Sequence, residues 1–240
     1  WTEVDGDEEA VGYEQDTQGI AGGFDVAVTP ALRTGAALSA PYTLADMAAD
    51  SVGLLDALAI EKAHLVGASM GGAIAQIIAA QYPQRTLSLT SIMSTSSHPD
   101  LPPPTPEASQ ALLAPLPETR DKESLIEDAL KRQLAVASPD FPACPQRLRE
   151  VIVDEHERGF HPRGVARQLA AFLASGDRRA MLRTISAPTL VVHGSEDPLI
   201  PVACGRDVAA HIAGAKLQVI EGMAHDLPVA LTEVFADAIA

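Results

Sequence analysis

The fold of this chain is decided by the stretch His64–Ile78, which reads HLVGASMGGAIAQII. It starts with a short apolar run, continues with a serine that has a glycine two positions before it and another two positions after it, and ends in an Ala/Ile-rich run. This succession predicts a strand, a sharp turn and a helix. The serine of such a turn adopts a strained backbone, so its neighbours must lack bulk, as Gly67, Gly71 and Gly72 do. The stretch therefore predicts a nucleophile elbow with Ser69 at its apex.

The elbow is also expected to supply part of an anion site. The turn places the Ser69 hydroxyl above the N-terminus of the following helix, where free N–H groups and the positive end of the helix dipole favour an oxyanion. The backbone N–H of Met70 is the predicted donor. Gly-x-Ser-x-Gly also arises by chance in chains rich in glycine and alanine, so a turn without chemistry is the alternative. The strand-like run before the serine and the helix-like run after it favour catalysis.

Composition limits the partners of the chain. With 240 residues, 47% of them hydrophobic, it is long enough for one large core, and we expect one domain with an insertion. A net charge of −15 argues against nucleic acid and anionic membranes as partners. No apolar run approaches the roughly 20 residues that span a membrane, and the first residues do not resemble a signal peptide. Cys144 and Cys204 form no CxxC motif, so we expect reduced thiols and a cytoplasmic protein.

The beginning of the chain differs from the rest. Residues 1–32 are acidic and contain no Lys or Arg. Because so few of them are apolar, we expect a solvated loop or mobile arm rather than an acidic ligand-binding cluster. Phe24–Val28 alternates apolar residues and is followed by Thr29-Pro30, which predicts the first strand of a sheet.

Farther along the chain, helical and strand patterns alternate. Thr43, with Asp46 three residues on, is a predicted N-cap, and Leu44–Leu58 carries its apolar residues on one helical face. The helix after the elbow is expected to end at Tyr82-Pro83. Strand, helix and strand in succession predict a mostly parallel α/β sheet with right-handed crossovers and flanking helices. The predicted strands are 63–66, 86–92, 189–193 and 216–220, and further helices are predicted at 202–212 and 228–239.

The segment 94–183 interrupts this alternation. Prolines recur in its first part, to Pro117, where no sheet strand can run. Helices are predicted next, without a strand between them, at 122–137, 146–158 and 165–182. A parallel crossover needs only about a dozen residues, so the length of the segment favours a helical lid over the serine rather than a plain connection. The predicted organisation is a core of residues 1–93 and 184–240 with a Pro-rich linker and helical cap at 94–183.

Two polar residues follow the last two predicted strands. Asp197 comes after one of them and His225 after the other. Residues just past the carboxyl ends of parallel strands gather at one edge of the sheet, so Ser69, Asp197 and His225 are expected to meet there. His225 would take the proton of Ser69 and return it to the leaving group, while Asp197 would hold the imidazole. Glu196, beside Asp197, is the alternative acid.

The remaining histidines are expected to be structural. His64 and His193 lie within predicted strands, where a packed and hydrogen-bonded residue is the more common case. The others have no spaced partner that would suggest a metal site, so no metal ion is expected: His98, His156, His161 and His211.

These motifs resemble those of the α/β-hydrolase superfamily. The resemblance rests on Gly67–Gly72, His193–Pro201 and Gly222–His225, in that order and on matching elements. Within the superfamily the chain is similar to lidded serine esterases near the aclacinomycin methylesterase group, to which Tyr42–Asp50 adds weight. The Asp-Pro dipeptide that begins at Asp197 fits the family motif and favours this acid over its neighbour. The resemblance implies hydrolysis of a small or medium apolar ester, or of a lactone, through an acyl-enzyme and without metal or organic cofactor.

The N-terminal part departs from the family pattern. The family has strands and a His-Gly oxyanion loop ahead of the region that matches Phe24–Val28, and residues 1–23 contain no such loop. Gly22 and Gly23 are weak candidates for the second oxyanion donor, and we expect the first strands of the family to be missing or divergent here. An incomplete oxyanion hole would give a weakly active or non-catalytic binding protein. Hydrolysis of C–C bonds and perhydrolysis on the same triad also stay open, because the superfamily supports them.

Overall fold

Four parallel strands form one sheet within the residues that the computed structural model describes, which are 40–114, 117 and 121–239. The strands follow each other in chain order across the sheet, and each pairs in parallel with the next. This arrangement confirms the predicted parallel sheet. The strands are β1 (Ala63–Ala68), β2 (Thr86–Ile92), β3 (Thr189–Gly194) and β4 (Lys216–Ile220).

The strand register aligns the carboxyl ends of the strands. Ala68 pairs with Ile92, Ile92 with Val192, and Val192 with Gln218. Because the last residue of β1 lies level with residues near the ends of β2, β3 and β4, the loops that follow them open at the same edge of the sheet. This edge is where a parallel α/β sheet places its functional side chains.

Helices connect and flank the strands. Two of them stand before β2, five between β2 and β3, and the others after β3, all within the described residues. Short 3₁₀ turns lie at Pro83–Arg85 and Val229–Leu231. The helices are α1 (Leu44–Ala57), α2 (Met70–Gln81), α3 (Pro106–Leu113), α4 (Lys122–Leu134), α5 (Pro145–Arg158), α6 (Pro162–Ala174), α7 (Arg179–Leu182), α8 (Val202–His211) and α9 (Thr232–Ile239).

Helix α1 begins with the predicted cap and packs on α2. Thr43 accepts a hydrogen bond from the Asp46 N–H, and the Asp46 carboxylate accepts one from the Thr43 N–H at 2.7 Å, which makes a capping box. The buried face of α1 includes Ala48 and Val52. The prediction that this face reaches Leu58 is wrong, because the helix ends at Ala57 and the Leu58 side chain is 60% exposed.

Helix α2, which carries the elbow, is the most deeply buried element of this layer. Its apolar residues contribute to two core clusters, one shared with α1 and one with β2, β3 and α8. It ends at Gln81, directly before Tyr82-Pro83, as predicted. A helix that is apolar on most sides needs partners on most sides, so the position of Ser69 at its N-terminus is fixed by the packing of the core.

The segment between β2 and β3 is helical where it is described, but its helices differ from the prediction. Helix α3 was not predicted; it begins with Thr105 as N-cap and Pro106 in its first turn, which are favourable start signals in an otherwise Pro-rich stretch. Helix α4 is shorter than predicted, and 165–182 is not one helix. It divides into α6 and α7 around Gly176, whose φ of 59° is left-handed and ends the helix.

A buried arginine ties the two ends of this segment together. Arg178 donates from its backbone N–H to the Ser96 carbonyl at 2.8 Å and from its guanidinium to the Thr95 carbonyl at 2.8 Å and to Ser97 Oγ at 3.2 Å. Burial lowers the pKa of Arg178 to about 10, and the nearby Asp177 carboxylate opposes this shift. Since residues 95–97 follow β2 and Arg178 directly precedes α7, these bonds hold the two ends of the segment side by side, and the chain then returns through α7 to the start of β3.

The last predicted helix, 228–239, is a 3₁₀ turn followed by α9. The predicted acidic arm and the predicted strand Phe24–Val28 lie outside the described residues.

Candidate active site

Ser69 lies between β1 and α2 in a left-handed backbone conformation. Its φ is 54° and its ψ is −119°, a region that L-residues rarely adopt. The neighbouring glycines allow this turn, because a Cβ at Gly67 would clash with the Gly71 carbonyl and a Cβ at Gly72 would press on Ser94. A Cβ at Gly71 would meet open space, so the small size of this residue is not required. The Ser69 N–H donates to the Ile92 carbonyl at 2.9 Å, which anchors the turn to the end of β2.

The structure brings the three predicted residues together. Ser69 Oγ lies 2.9 Å from His225 Nε2, and His225 Nδ1 lies 2.8 Å from Asp197 Oδ2. An ionised carboxylate can only accept, so Nδ1 carries the proton that it donates to Asp197. In the neutral imidazole Nε2 is then an acceptor for the serine hydroxyl, which is the tautomer that a general base requires.

Asp197 is held by a set of donors in the loop after β3. Its side chain is fully buried, and Oδ1 accepts from the N–H groups of Leu199 at 2.9 Å and Ile200 at 2.8 Å. Burial alone would raise the pKa of Asp197, but hydrogen bonds from His193, His225 and the Ile200 N–H outweigh it and lower the pKa below the ordinary value. The carboxylate is therefore kept charged and aimed at the imidazole.

The alternative acid points elsewhere. Glu196 is exposed, and its carboxylate accepts from the adjacent Ser195 hydroxyl at 3.4 Å. Its backbone N–H donates to the Met223 carbonyl at 3.0 Å, which turns the chain so that Asp197, one residue later, faces His225. The geometry thus favours Asp197.

His193 contacts the acid, which the sequence did not indicate. It is buried, as expected for a strand residue, with Nε2 2.7 Å from the Ile200 carbonyl and 3.4 Å from Asp197 Oδ2. The loop after β3 folds back over the end of the strand and brings Asp197 onto His193. The spacing of residues along a strand does not predict such a contact. His64, by contrast, is exposed on β1 and lies 2.7 Å from Ser88 Oγ, away from the site.

The predicted oxyanion donor, Met70, lies at the N-terminus of a helix. Met70 is the first residue of α2, and the first N–H groups of a helix have no partner within it. Gly22 and Gly23, the weak candidates for the second donor, lie outside the described residues. Among the residues described, no group of three or more His, Cys, Asp or Glu side chains could hold a metal ion. No helix in that part of the chain is long and apolar enough to cross a membrane.

The lowered pKa of Asp197 predicts how stability depends on pH. The unfolded chain binds a proton at this carboxyl at a higher pH than the folded protein does, so the stabilisation is complete above the unfolded pKa of about 3.9 and is lost as the pH falls through the lower folded pKa. Between about pH 6 and about pH 3, urea unfolding should show a larger loss of unfolding free energy for the wild type than for Asp197→Asn. Glu196→Gln, with an exposed carboxyl, is the control and should follow the wild type; equal losses in all three proteins would contradict the prediction.

Comparisons with known proteins found a matching family and several similar sequences. The family described as alpha/beta hydrolase fold matches residues 29–229. The chain is 30% identical over 218 residues to rhodomycin D methylesterase DauP of Streptomyces sp. strain C5, which covers 83% of this chain and 72% of that protein. It is 33% identical over 178 residues to a 2-hydroxy-6-oxononadienedioate/2-hydroxy-6-oxononatrienedioate hydrolase of Cupriavidus pinatubonensis, with 72% of this chain and 59% of that protein covered.

The fold is also similar to solved structures. The enol-lactonase from Burkholderia xenovorans LB400 superposes with a TM-score of 0.60 at 25% sequence identity, over 85% of this chain and 72% of that chain. The names of these similar proteins thus include a methylesterase, a hydrolase of 2-hydroxy-6-oxo dioates and an enol-lactonase.

Proposed function

This chain belongs to the α/β-hydrolase family, and from that premise we propose that it is a serine esterase whose triad is Ser69, His225 and Asp197. One observation carries the proposal. An unbroken line of hydrogen bonds runs from the Ser69 hydroxyl through both nitrogens of the His225 imidazole to the Asp197 carboxylate. A serine hydroxyl is a weak nucleophile by itself, and this arrangement is the one that activates it.

The proposed reaction proceeds through an acyl-enzyme. As Ser69 Oγ attacks the ester carbonyl, His225 Nε2 takes its proton, and the negative charge on the carbonyl oxygen is stabilised by the Met70 N–H. The C–O bond to the alcohol then breaks, and His225 returns the proton to the leaving alkoxide. Water, deprotonated by the same imidazole, then attacks the acyl carbonyl carbon, the bond from this carbon to Ser69 Oγ breaks, and His225 returns the proton to Ser69 Oγ as the acid leaves. Asp197 stabilises the imidazolium in both halves of the cycle.

The proposed substrate is a small or medium apolar ester or a lactone. Similarity to a methylesterase and to an enol-lactonase supports both forms of the carboxylic ester. The helical segment 94–183 supplies apolar side chains and is proposed as the cap that forms the acyl or alcohol pocket. Several of its large apolar side chains are more than two-fifths exposed: Leu112, Leu134, Val151 and Phe160 at 41–42%, and Val165 at 58%.

Hydrolysis of a C–C bond is a second candidate, because a relative at 33% identity is named as a hydrolase of 2-hydroxy-6-oxononadienedioate, a compound whose name contains no ester. The same triad serves both reactions in this proposal, and the difference lies in which substrate the pocket orients. Both candidate reactions require a second oxyanion donor. Without it the protein would be weakly active or non-catalytic, since loss of one donor lowers the rate on the order of 100- to 1,000-fold.

The proposal is tested by two measurements, which are the turnover of a panel of substrates and the covalent labelling of Ser69. We expect turnover of p-nitrophenyl acetate and butyrate and of a simple lactone, with an initial burst of p-nitrophenol that marks the acyl-enzyme. We expect a lower kcat/KM for a 2-hydroxy-6-oxo-dienoate; the reverse ranking would favour the C–C reaction. A fluorophosphonate should add to Ser69, as read by mass spectrometry. A chain that neither turns over any of these substrates nor reacts with the fluorophosphonate is a binding protein, and the esterase proposal would then be wrong.

A further inference from the structure

The loop that carries His225 is held from two sides. Its first half is tied to the loop of the acid: the Gly222 N–H donates to Ser195 Oγ at 3.0 Å, and the Met223 carbonyl accepts from the Glu196 N–H at 3.0 Å. These contacts couple the histidine loop to the loop that carries Asp197. The last of these contacts is at Met223, two residues before His225.

The second half of the loop is tied to the segment between β2 and β3. The His225 N–H donates to the Val136 carbonyl at 3.0 Å, and the Ala224 N–H donates to Ser138 Oγ at 2.8 Å. Val136 and Ser138 lie just after α4, more than eighty residues away from the histidine in sequence. The backbone that presents the imidazole is thus bonded to residues that lie outside the sheet.

The Ser138 side chain bonds to both chain neighbours of the histidine. The Ser138 hydroxyl accepts from the residue before His225, and it donates to Oδ1 of the residue after it, Asp226, in a short hydrogen bond. The Ser138 backbone N–H donates to the same oxygen at 3.2 Å. Ser138 is 2% exposed and Ala224 is 1% exposed, so water does not replace these bonds if they break.

The same segment also fits closely against the start of the loop. Gly222 has a φ of 74°, and a Cβ at this position would overlap the Asp140 carboxylate. Asp140 follows Ser138 by two residues, so the segment contacts the histidine loop both before and after His225 in the chain. The segment thus touches the loop at residue 222 and at each residue from 224 to 226.

We propose that Ser138 is a positioning residue for His225. By bonding to residues 224 and 226 at once, it fixes the direction in which the loop presents the imidazole to Ser69 Oγ. The segment between β2 and β3 would then take part in assembling the triad, besides any role as a cap. This inference rests on the proposed function, and its tests are chosen so that the two can fail separately.

The test is the second-order rate constant for inactivation by a fluorophosphonate. This reagent needs an activated serine but no natural substrate. In Ser138→Ala the Ala224 N–H loses its acceptor and Asp226 loses a donor, and a shift of the loop by about 1 Å is expected to lower the rate constant by roughly 10- to 100-fold. Ser124→Ala is the matched control. Ser124 lies on α4 in the same segment, and its hydroxyl donates to Asp121 at 2.8 Å, away from the histidine loop.

A second pair of variants guards against misfolding of Ser138→Ala. Asp226→Asn keeps an oxygen that accepts from both Ser138 donors, whereas Asp226→Ala removes it, so we expect the asparagine variant to lose less reactivity than the alanine variant. The double variant Ser138→Ala/Asp226→Ala should lose about as much reactivity as Ser138→Ala alone, because the hydroxyl contact that Asp226→Ala removes is already absent there. Additive losses would overturn the proposed contact.

Active-site titration separates positioning from stability. The fluorophosphonate also counts reactive sites, and a positioning role predicts a full count with a slower rate constant. With p-nitrophenyl butyrate, kcat should fall while KM stays within about twofold. A wild-type rate constant in Ser138→Ala, or fewer sites reacting at the wild-type rate, would overturn the inference and leave the esterase proposal standing. A wild-type protein that is not labelled at all would overturn both.

Discussion

Ser69→Ala should remove ester hydrolysis and fluorophosphonate labelling almost completely. The alanine lacks the oxygen that bonds to the carbonyl carbon, so no acyl-enzyme forms and the initial burst of p-nitrophenol disappears. Loss of the nucleophile in a triad of this kind lowers kcat on the order of 10⁶-fold, which here means a rate close to that of buffer alone. The measurement is p-nitrophenyl butyrate turnover with burst analysis, together with the mass of the intact chain after labelling.

The fold of this variant should be intact. Alanine keeps the Cβ, so it inherits the same left-handed backbone as Ser69, and the Ile92 carbonyl still receives the backbone N–H. Its urea unfolding midpoint should therefore stay near that of the wild type. Ser51→Ala is the matched control, since the Ser51 hydroxyl bonds to a carbonyl within α1 at 2.9 Å and does not reach the site. Burst kinetics that survive in Ser69→Ala would mean that another residue carries the acyl group.

The sequence was most informative where one local rule determines the structure. The strands 86–92 and 216–220 have the predicted bounds, because alternating polar and apolar residues between turn signals leave few alternatives. The meeting of Ser69, Asp197 and His225 followed from a single property of parallel sheets, that the loops after the strands share an edge. Neither step required knowledge of which side chains contact each other.

Contacts between distant loops could not be predicted in this way. No motif around residue 138 marks it as a partner of the histidine loop, and its bonds to residues 224 and 226 exist only after the segment and the sheet have packed together. The contact of His193 with Asp197 depends in the same way on the path of a turn. The division of 165–182 into two helices was missed because a glycine inside an apolar helical pattern is compatible with either a helix or its end.

Asp197→Asn should reduce kcat far more than Glu196→Gln, although the two acids are adjacent. An asparagine at position 197 can turn its NH₂ group toward His225 Nδ1, which then accepts rather than donates. The imidazole proton moves to Nε2, and the ring can no longer take the proton of Ser69. Loss of the correct tautomer in a triad lowers kcat by about 10⁴-fold. Glu196 is exposed and makes no contact with the imidazole in the described structure, so Glu196→Gln should change kcat by less than about threefold.

The two variants also differ in the step that they affect. Without the charge at 197 the imidazolium is not stabilised in acylation or in deacylation, so both the p-nitrophenol burst and the steady-state rate should slow in Asp197→Asn. KM should change less than kcat, because the carboxylate is buried behind His225 and is not placed to bind the ground-state ester. A larger loss in Glu196→Gln than in Asp197→Asn would mean that Glu196, and not Asp197, is the acid of the triad. It would also require the loop after β3 to rearrange in the working enzyme, since Glu196 and Asp197 leave that loop in different directions.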